Sequence, residues 1–255
     1  MNGIVMKQSE ILVQSSFDQT MQPSLFFAAE GTEKRPLLVG LHTWSYNRHN
    51  QVAAMLPVAE KLNFNLLLPE FRGANLSTNP HCGDACGSEA AKRDIKDAID
   101  YLIAQELVDR DHVFLLGASG GGHMALLMAG YCPEYFKAIG AFVPITDLVA
   151  WSRENVDYAN HVQACCGSEA EMLRRSPITY MKKIAESNLK IFHGKYDPVV
   201  PFSHSKRLYA MIDEYNPRAS VYLDIFDGGH EMDMDVAAHW IVSQYQKNGT
   251  TTVTG

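Results

Sequence analysis

Short apolar runs alternate along the chain with longer segments of helical period. Leu37–Leu41, Phe64–Pro69 (FNLLLP), Val113–Gly117 (VFLLG), Ala138–Val143, Leu189–His193 and Val221–Phe226 are largely apolar stretches of five or six residues. Runs of that length bounded by turn residues read as buried strands. Between them, Ala91, Ile95, Ala98, Ile99, Leu102 and Ile103 recur at three- and four-residue spacing and make one apolar helix face. Helices are also predicted over Gln51–Leu62 (interrupted by Pro57), Met124–Tyr131 and Val236–Gln246, with another capped by Ser203 and running to about Tyr215. Ile11–Gln14 and Ser24–Ala28 read as edge strands. Strands that are apolar on both faces belong to a parallel sheet covered on both sides, and parallel neighbours need helical crossovers. The expected fold is therefore α/β, a three-layer α/β/α sandwich with a mostly parallel sheet. In such sheets the site lies at the carboxyl ends of the strands. Residues 144–185 are long for a crossover and carry Trp151, Tyr158, His161 and the pair Cys165–Cys166. They are predicted to be a partly lid-like helical insertion within a single domain over 1–255.

Length and charge narrow the choice. A chain of 255 residues suits one large α/β domain. Its net charge of −7 and lack of a basic block disfavour a nucleic-acid partner. No apolar run reaches membrane-spanning length, so no membrane partner is expected. Met1–Glu10 lacks the apolar core of a signal peptide, which points to the cytoplasm unless a leader has been removed. Cys82 and Cys86 are spaced for a local disulfide, although free thiols are the preferred reading for all five cysteines. A zinc site would need a second ligand pair, and the adjacent Cys165 and Cys166 lack the spacing for one.

The chemistry concentrates where the apolar strands end. Gly117-Ala118-Ser119-Gly120-Gly121-Gly122 follows the strand VFLLG and opens a helix. A serine on such a turn is held in strained geometry above the sheet, and the small neighbours admit close backbone approach. A phosphate loop would place lysine after the glycines, where this chain has His123. Serine alone is a weak nucleophile and needs an oriented base. Asp197 follows the strand LKIFHG, and His230 follows VYLDIF. Ser119, Asp197 and His230 thus fall at strand carboxyl ends in the order Ser, acid, His. Asp224 and Asp227 are alternative acids, Asp227 sharing a tight turn with the histidine. His123 lies on the following helix and His193 within a strand, so neither is the expected base. An oxyanion hole would draw on the N–H of Gly120 and on one from the loop after Leu41, with Trp44 favoured and Thr43 the runner-up.

At these residues the chain resembles the catalytic domain of the prolyl oligopeptidase family within the α/β-hydrolase superfamily. GASGGG, HGKYDPVVP, GGH and the helix RDIKDAIDYL carry the likeness, over roughly residues 22 to 247. The resemblance implies a triad of Ser119, Asp197 and His230. Family peptidases usually carry an N-terminal β-propeller, but only residues 1–36 precede the first core strand here. His-Thr-Trp replaces the family's oxyanion-loop tyrosine region, and Gly120 stands where a larger residue is usual. These departures favour the propeller-free relatives: carboxylesterases, acetyl and feruloyl esterases, and dienelactone hydrolases, the last typically using cysteine.

The expected function is hydrolysis of carboxylic esters through an acyl-enzyme, with acetyl or feruloyl esters of plant carbohydrates as candidate substrates. The alternative is a small prolyl-oligopeptidase-like serine peptidase or amidase. Trp44, Trp151 and Tyr158 are read as an aromatic substrate wall, with core packing as the competing reading. No metal or organic cofactor is expected. The partner is a small-molecule or carbohydrate ester substrate.

Overall fold

The computed structural model describes residues 6–247. Eight strands form one sheet: β1 (Lys7–Gln14), β2 (Met21–Ala28), β3 (Arg35–Leu41), β4 (Asn65–Pro69), β5 (Val108–Ala118), β6 (Ala138–Phe142), β7 (Leu189–Gly194) and β8 (Val221–Phe226). Their spatial order is β1-β2-β4-β3-β5-β6-β7-β8. β1, β2 and β4 pair antiparallel, and from β4 onward every pair is parallel. The chain crosses from β3 to β4 and then back past β3 to β5, so the strand order reverses beside β5. That reversal opens the crevice in which doubly wound sheets bind ligands.

The helices are α1 (Val52–Leu62), α2 (Glu89–Ala104), α3 (Gly120–Tyr131), α4 (Leu148–Glu154), α5 (Val156–Cys166), α6 (Glu169–Arg174), α7 (Met181–Ile184), α8 (Ser203–Tyr215) and α9 (Met234–Gln246). One sheet face packs Leu37, Val39, Leu115 and Ile139 against α2, α3, α7 and α8. The other packs Leu38, Leu66, Phe114 and Leu116 against α1 and α9. Alternate residues of β3 therefore serve opposite layers, as the two-residue period of a strand requires. Among the described residues no helix is long and apolar enough to cross a membrane.

Three local expectations need correction. α1 runs unbroken through Pro57, with Met55, Val58 and Ala59 buried around it, so packing outweighs one lost backbone bond. Ser203 is the first residue of α8 rather than its cap, and the preceding Phe202 supplies no side-chain bond. α9 begins earlier than expected because the Asp233 carboxylate accepts from the N–H groups of Asp235 and Val236.

The segment 144–185 divides. α4, α5 and α6 gather around Trp44, Trp151 and Val162 above the strand ends, in a cluster separate from both sandwich layers. Ile178 and Ile184 instead bury in the main core, which makes the end of the segment part of a sandwich layer.

Candidate active site

Ser119 lies between the end of β5 and the start of α3, with φ +56° and ψ −118°. That is a strained conformation for a non-glycine residue. Close backbone approach holds it. A Cβ on Gly121 would lie 2.5 Å from the Leu41 carbonyl oxygen and 2.8 Å from that of His42. The Ser119 N–H donates to the Phe142 carbonyl at 2.9 Å, and the His123 N–H returns to the Ser119 carbonyl at 2.8 Å. The turn is thus bonded to β6 and to its own helix.

The acid and the base come from the two loops after β7 and β8. These strand ends meet because Gly194 carries no side chain; a Cβ there would collide with the Gly229 carbonyl. His230 Nδ1 lies 2.8 Å from Asp197 Oδ2. The carboxylate can only accept, so Nδ1–H donates and Nε2 keeps its lone pair. The other carboxylate oxygen accepts the N–H groups of Val199 at 2.8 Å and Val200 at 2.9 Å. Burial would raise the Asp197 carboxyl, but hydrogen bonds from His193, His230 and Val200 outweigh it and hold the group well below the usual carboxylate range. Asp224, the alternative acid, pairs instead with Lys190 at 2.9 Å.

Sequence reasoning passed over His193. Its Nε2–H donates to the Val200 carbonyl at 2.9 Å and also lies 3.4 Å from Asp197 Oδ2. Nδ1 then accepts from the Ser205 hydroxyl at 2.7 Å. His193 is a fully buried brace for the acid, four residues ahead of it in HGKYD. Val143 was also missed. It has φ +42°, rare for a β-branched residue, and lines the cavity beside Ser119. No sequence signal marked it.

Ser119 and His230 share a cavity of about 330 Å³ with Trp44, Tyr46, Val143, Tyr158, Glu231 and Met232 among its walls. No Ser119–His230 hydrogen bond is formed among the described residues, a looseness common before substrate binds. At Gly120 a Cβ would stand 2.5 Å from the Trp44 backbone nitrogen, which places the two candidate oxyanion donors side by side. The runner-up is corrected, since the Thr43 N–H is already committed to Asn50 Oδ1 at 3.0 Å.

The aromatic wall is corrected in part. Tyr158 lines the cavity, and so does Trp44. Trp151 is fully buried, packs edge-on against Trp44 at 4.8 Å and donates its indole N–H to the Val199 carbonyl at 2.9 Å. It is a core residue behind the wall. His123 also points away from the cavity, with Nε2 donating to the Arg175 carbonyl at 2.7 Å.

A nucleophile-bearing turn on a mostly parallel sheet, followed by an acid and a histidine from later strand ends, defines a serine hydrolase of the α/β-hydrolase fold. The model of the prolyl oligopeptidase family matches residues 82–246, and the chain belongs to that family. It is 26% identical over 170 residues to the human acylamino-acid-releasing enzyme, a match covering 61% of this chain and 23% of that protein. It is 26% identical over 213 residues to the uncharacterized protein YfhR of Salmonella typhimurium, covering 82% of this chain and 68% of the relative. Among solved structures, the acylaminoacyl peptidase of Pyrococcus horikoshii superposes with a TM-score of 0.70 at 17% identity, over 94% of this chain and 40% of that one. A puromycin hydrolase gives 0.76 at 15% identity, over 98% and 40%. The chain therefore spans about a quarter of the acylamino-acid-releasing relative and well under half of these solved chains.

These relatives overturn the expectation of a carboxylic-ester hydrolase acting on carbohydrate esters and favour the peptidase alternative. That expectation leaned on three departures: the short stretch before the first core strand, the His-Thr-Trp loop and Gly120. The loop meets Gly120 through the Trp44 backbone, so its side chains say little about the bond that is cleaved.

Proposed function

We propose that this chain is a serine peptidase or amidase that cleaves short peptides and aminoacyl amides through an acyl-enzyme on Ser119. The observation that carries the reading is the 2.8 Å His230–Asp197 bond at the rim of the cavity that Ser119 lines. Ser119 Oγ attacks the amide carbonyl while His230 Nε2 takes its proton. Asp197 fixes the imidazole and stabilises the imidazolium that forms. The N–H groups of Gly120 and Trp44 receive the oxyanion, and the positive end of α3 supports them. An amine leaves poorly, so His230 returns its proton to the amide nitrogen as the bond breaks. Water then repeats the attack on the acyl-enzyme. Membership of the prolyl oligopeptidase family supports the choice of amide over ester.

The test is a panel of free and N-acetylated aminoacyl p-nitroanilides. Turnover is expected from the native chain, with a loss of about 10⁴-fold or more in Ser119→Ala. Equal turnover by the variant, or no anilide cleaved by the native chain, rejects the proposal.

A further inference from the structure

Four of the five cysteines gather in one place that the proposed reaction does not use. Cys82 opens the short 3₁₀ turn Cys82–Asp84, and Cys86 follows it closely. Cys165 and Cys166 end α5. All four join the apolar cluster around Trp44 and Trp151. Three are buried, while Cys82 is partly open to solvent, and all are free thiols. Cys86, Cys165 and Cys166 share that cluster and Cys82 packs against it, so the turn and the end of α5 bring the four sulfurs together. Such crowding of sulfur between segments some 80 residues apart in sequence is not required by packing, which any small apolar side chain would satisfy. Among the described residues no group of histidine, cysteine, aspartate or glutamate side chains is arranged to hold a metal ion.

We propose that Cys82 and Cys165 form a site of reversible oxidative modification, closing a disulfide that ties α5 to the 82–86 turn. Cys82 is the sulfur a small oxidant can reach. Cys165 is the one poised to resolve it. Burial and the neighbouring Cys165 raise the Cys82 thiol, so it is its exposure that admits the oxidant, while the Cys86 thiol, opposed by burial and joined by Cys82 and the Arg175 guanidinium, lowers the Cys165 thiol from its ordinary value. With a peroxide as oxidant, the Cys82 sulfur attacks one peroxide oxygen and the O–O bond breaks. Hydroxide leaves and takes up the thiol proton as water, and Cys82 becomes a sulfenic acid. The Cys165 thiol then gives up its proton as its sulfur attacks the Cys82 sulfur. The S–S bond forms, the S–O bond breaks, and the departing hydroxide takes up that proton as water. Two thiols and one peroxide give one disulfide and two waters; the sulfurs lose two electrons and the peroxide gains them.

The crosslink would join two walls of the candidate active site. Cys86 N–H donates to Asn75 Oδ1 at 2.7 Å, and Asn75 N–H donates to the Trp44 carbonyl at 2.8 Å. The turn bearing Cys82 is therefore two hydrogen bonds from the Trp44 backbone. α5, on the other side, carries Tyr158. Arg175 already braces the same turn, donating to the carbonyls of Ala85 at 2.9 Å and Gly83 at 3.0 Å.

The full chain is treated with hydrogen peroxide, its remaining thiols are alkylated, and its peptides are mapped by mass spectrometry. A Cys82–Cys165 linked peptide is expected, removed by dithiothreitol. Oxidised protein should melt about 3 °C or more above reduced protein, since the link closes a long loop. Cys165→Ser should abolish both the link and the shift. Cys82→Ser, at the partly open position, gives the same test should the buried variant fail to fold. Cys132→Ala, in the main core, should keep both. Full alkylation of all four thiols after peroxide, a link through Cys86 or Cys166 instead, or Cys82 ending as an irreversible sulfinic acid would each overturn the proposal.

Discussion

The turn at Ser119 and the α4–α6 cap above it are neighbours built on different principles. At the turn, main chain touches main chain: Gly121 against the Leu41 and His42 carbonyls, and Gly120 against the Trp44 backbone. In the cap, side chains do the holding. Trp151 packs between Trp44 and Tyr158, and His161 Nδ1 accepts the Ser77 N–H at 3.0 Å. Contacts between backbones leave no room for variation, so the turn keeps one geometry. Contacts between side chains can be exchanged, so the cap can change without disturbing the turn.

The contrast breaks most visibly at Trp151. Trp151→Ala removes a fully buried indole from the cap, and a loss of about 3–5 kcal/mol of stability is expected by denaturant titration. The folded fraction should still label with a fluorophosphonate at near-native rate. Unchanged stability with lost labelling would mean that the cap, and not the turn, organises the nucleophile. Gly121→Ala makes the converse change. The new methyl group meets carbonyl oxygens that no rotamer can move, so Ser119 shifts and kcat/KM should fall about 100-fold. Near-native kcat/KM in this variant would show that the close approach is not what fixes the turn.

His123 stands at the seam, on α3 but bonded to the Arg175 carbonyl just beyond the cap. Burial lowers its pKa from 6.5 to about 4. Between those values the unfolded chain binds a proton that the folded residue refuses. Its contribution is therefore whole above pH 6.5 and is lost as pH falls towards 4, reaching about 2 kcal/mol by pH 5. His123→Gln can keep a donor to Arg175 without titrating. The native chain should lose that much more stability than the variant between pH 7 and pH 5, read from paired denaturant titrations. Parallel pH profiles would remove His123 as the acid-sensitive link.

The same division explains what the sequence disclosed. All eight strands and the order Ser119, Asp197, His230 were legible because apolar strands and a strand-to-helix glycine turn leave local signals, whereas the edge position expected for Ser24–Ala28 fails because β2 lies between β1 and β4, a non-local pairing. His193 stood in plain view four residues before Asp197, but a histidine inside a strand has no pattern that separates a brace from a core residue. The burial of Trp151 depends on where α4 lands against Val199, a contact 48 residues away in sequence. The gathering of Cys82 with Cys165 in one cluster is equally non-local. The bond to be cleaved was misread because departures outside the triad, namely the short stretch before the first core strand, the His-Thr-Trp loop and Gly120, were given weight although none of them alters Ser119, Asp197 or His230.

The smallest effect concerns charge within the cavity. Of the side chains lining it among the described residues, and with His230 neutral, Glu231 alone carries a formal charge. Its carboxylate folds back over the turn before His230, accepting the Gly229 N–H at 3.3 Å, in space that a side chain at Gly228 would fill. An ammonium group on the bound aminoacyl residue would lie in a negative potential there, whereas an acetylated one would gain nothing from it. The carboxylate is solvent-exposed, which limits the preference to about fivefold or less. Glu231→Gln should therefore lower kcat/KM for free aminoacyl anilides by that factor and leave N-acetylated ones unchanged. Raising the salt concentration should erase the difference in the native chain. An equal loss on both substrates would instead assign Glu231 to holding the His230 turn, moving it from the substrate-recognising side of the site to the backbone-defined side.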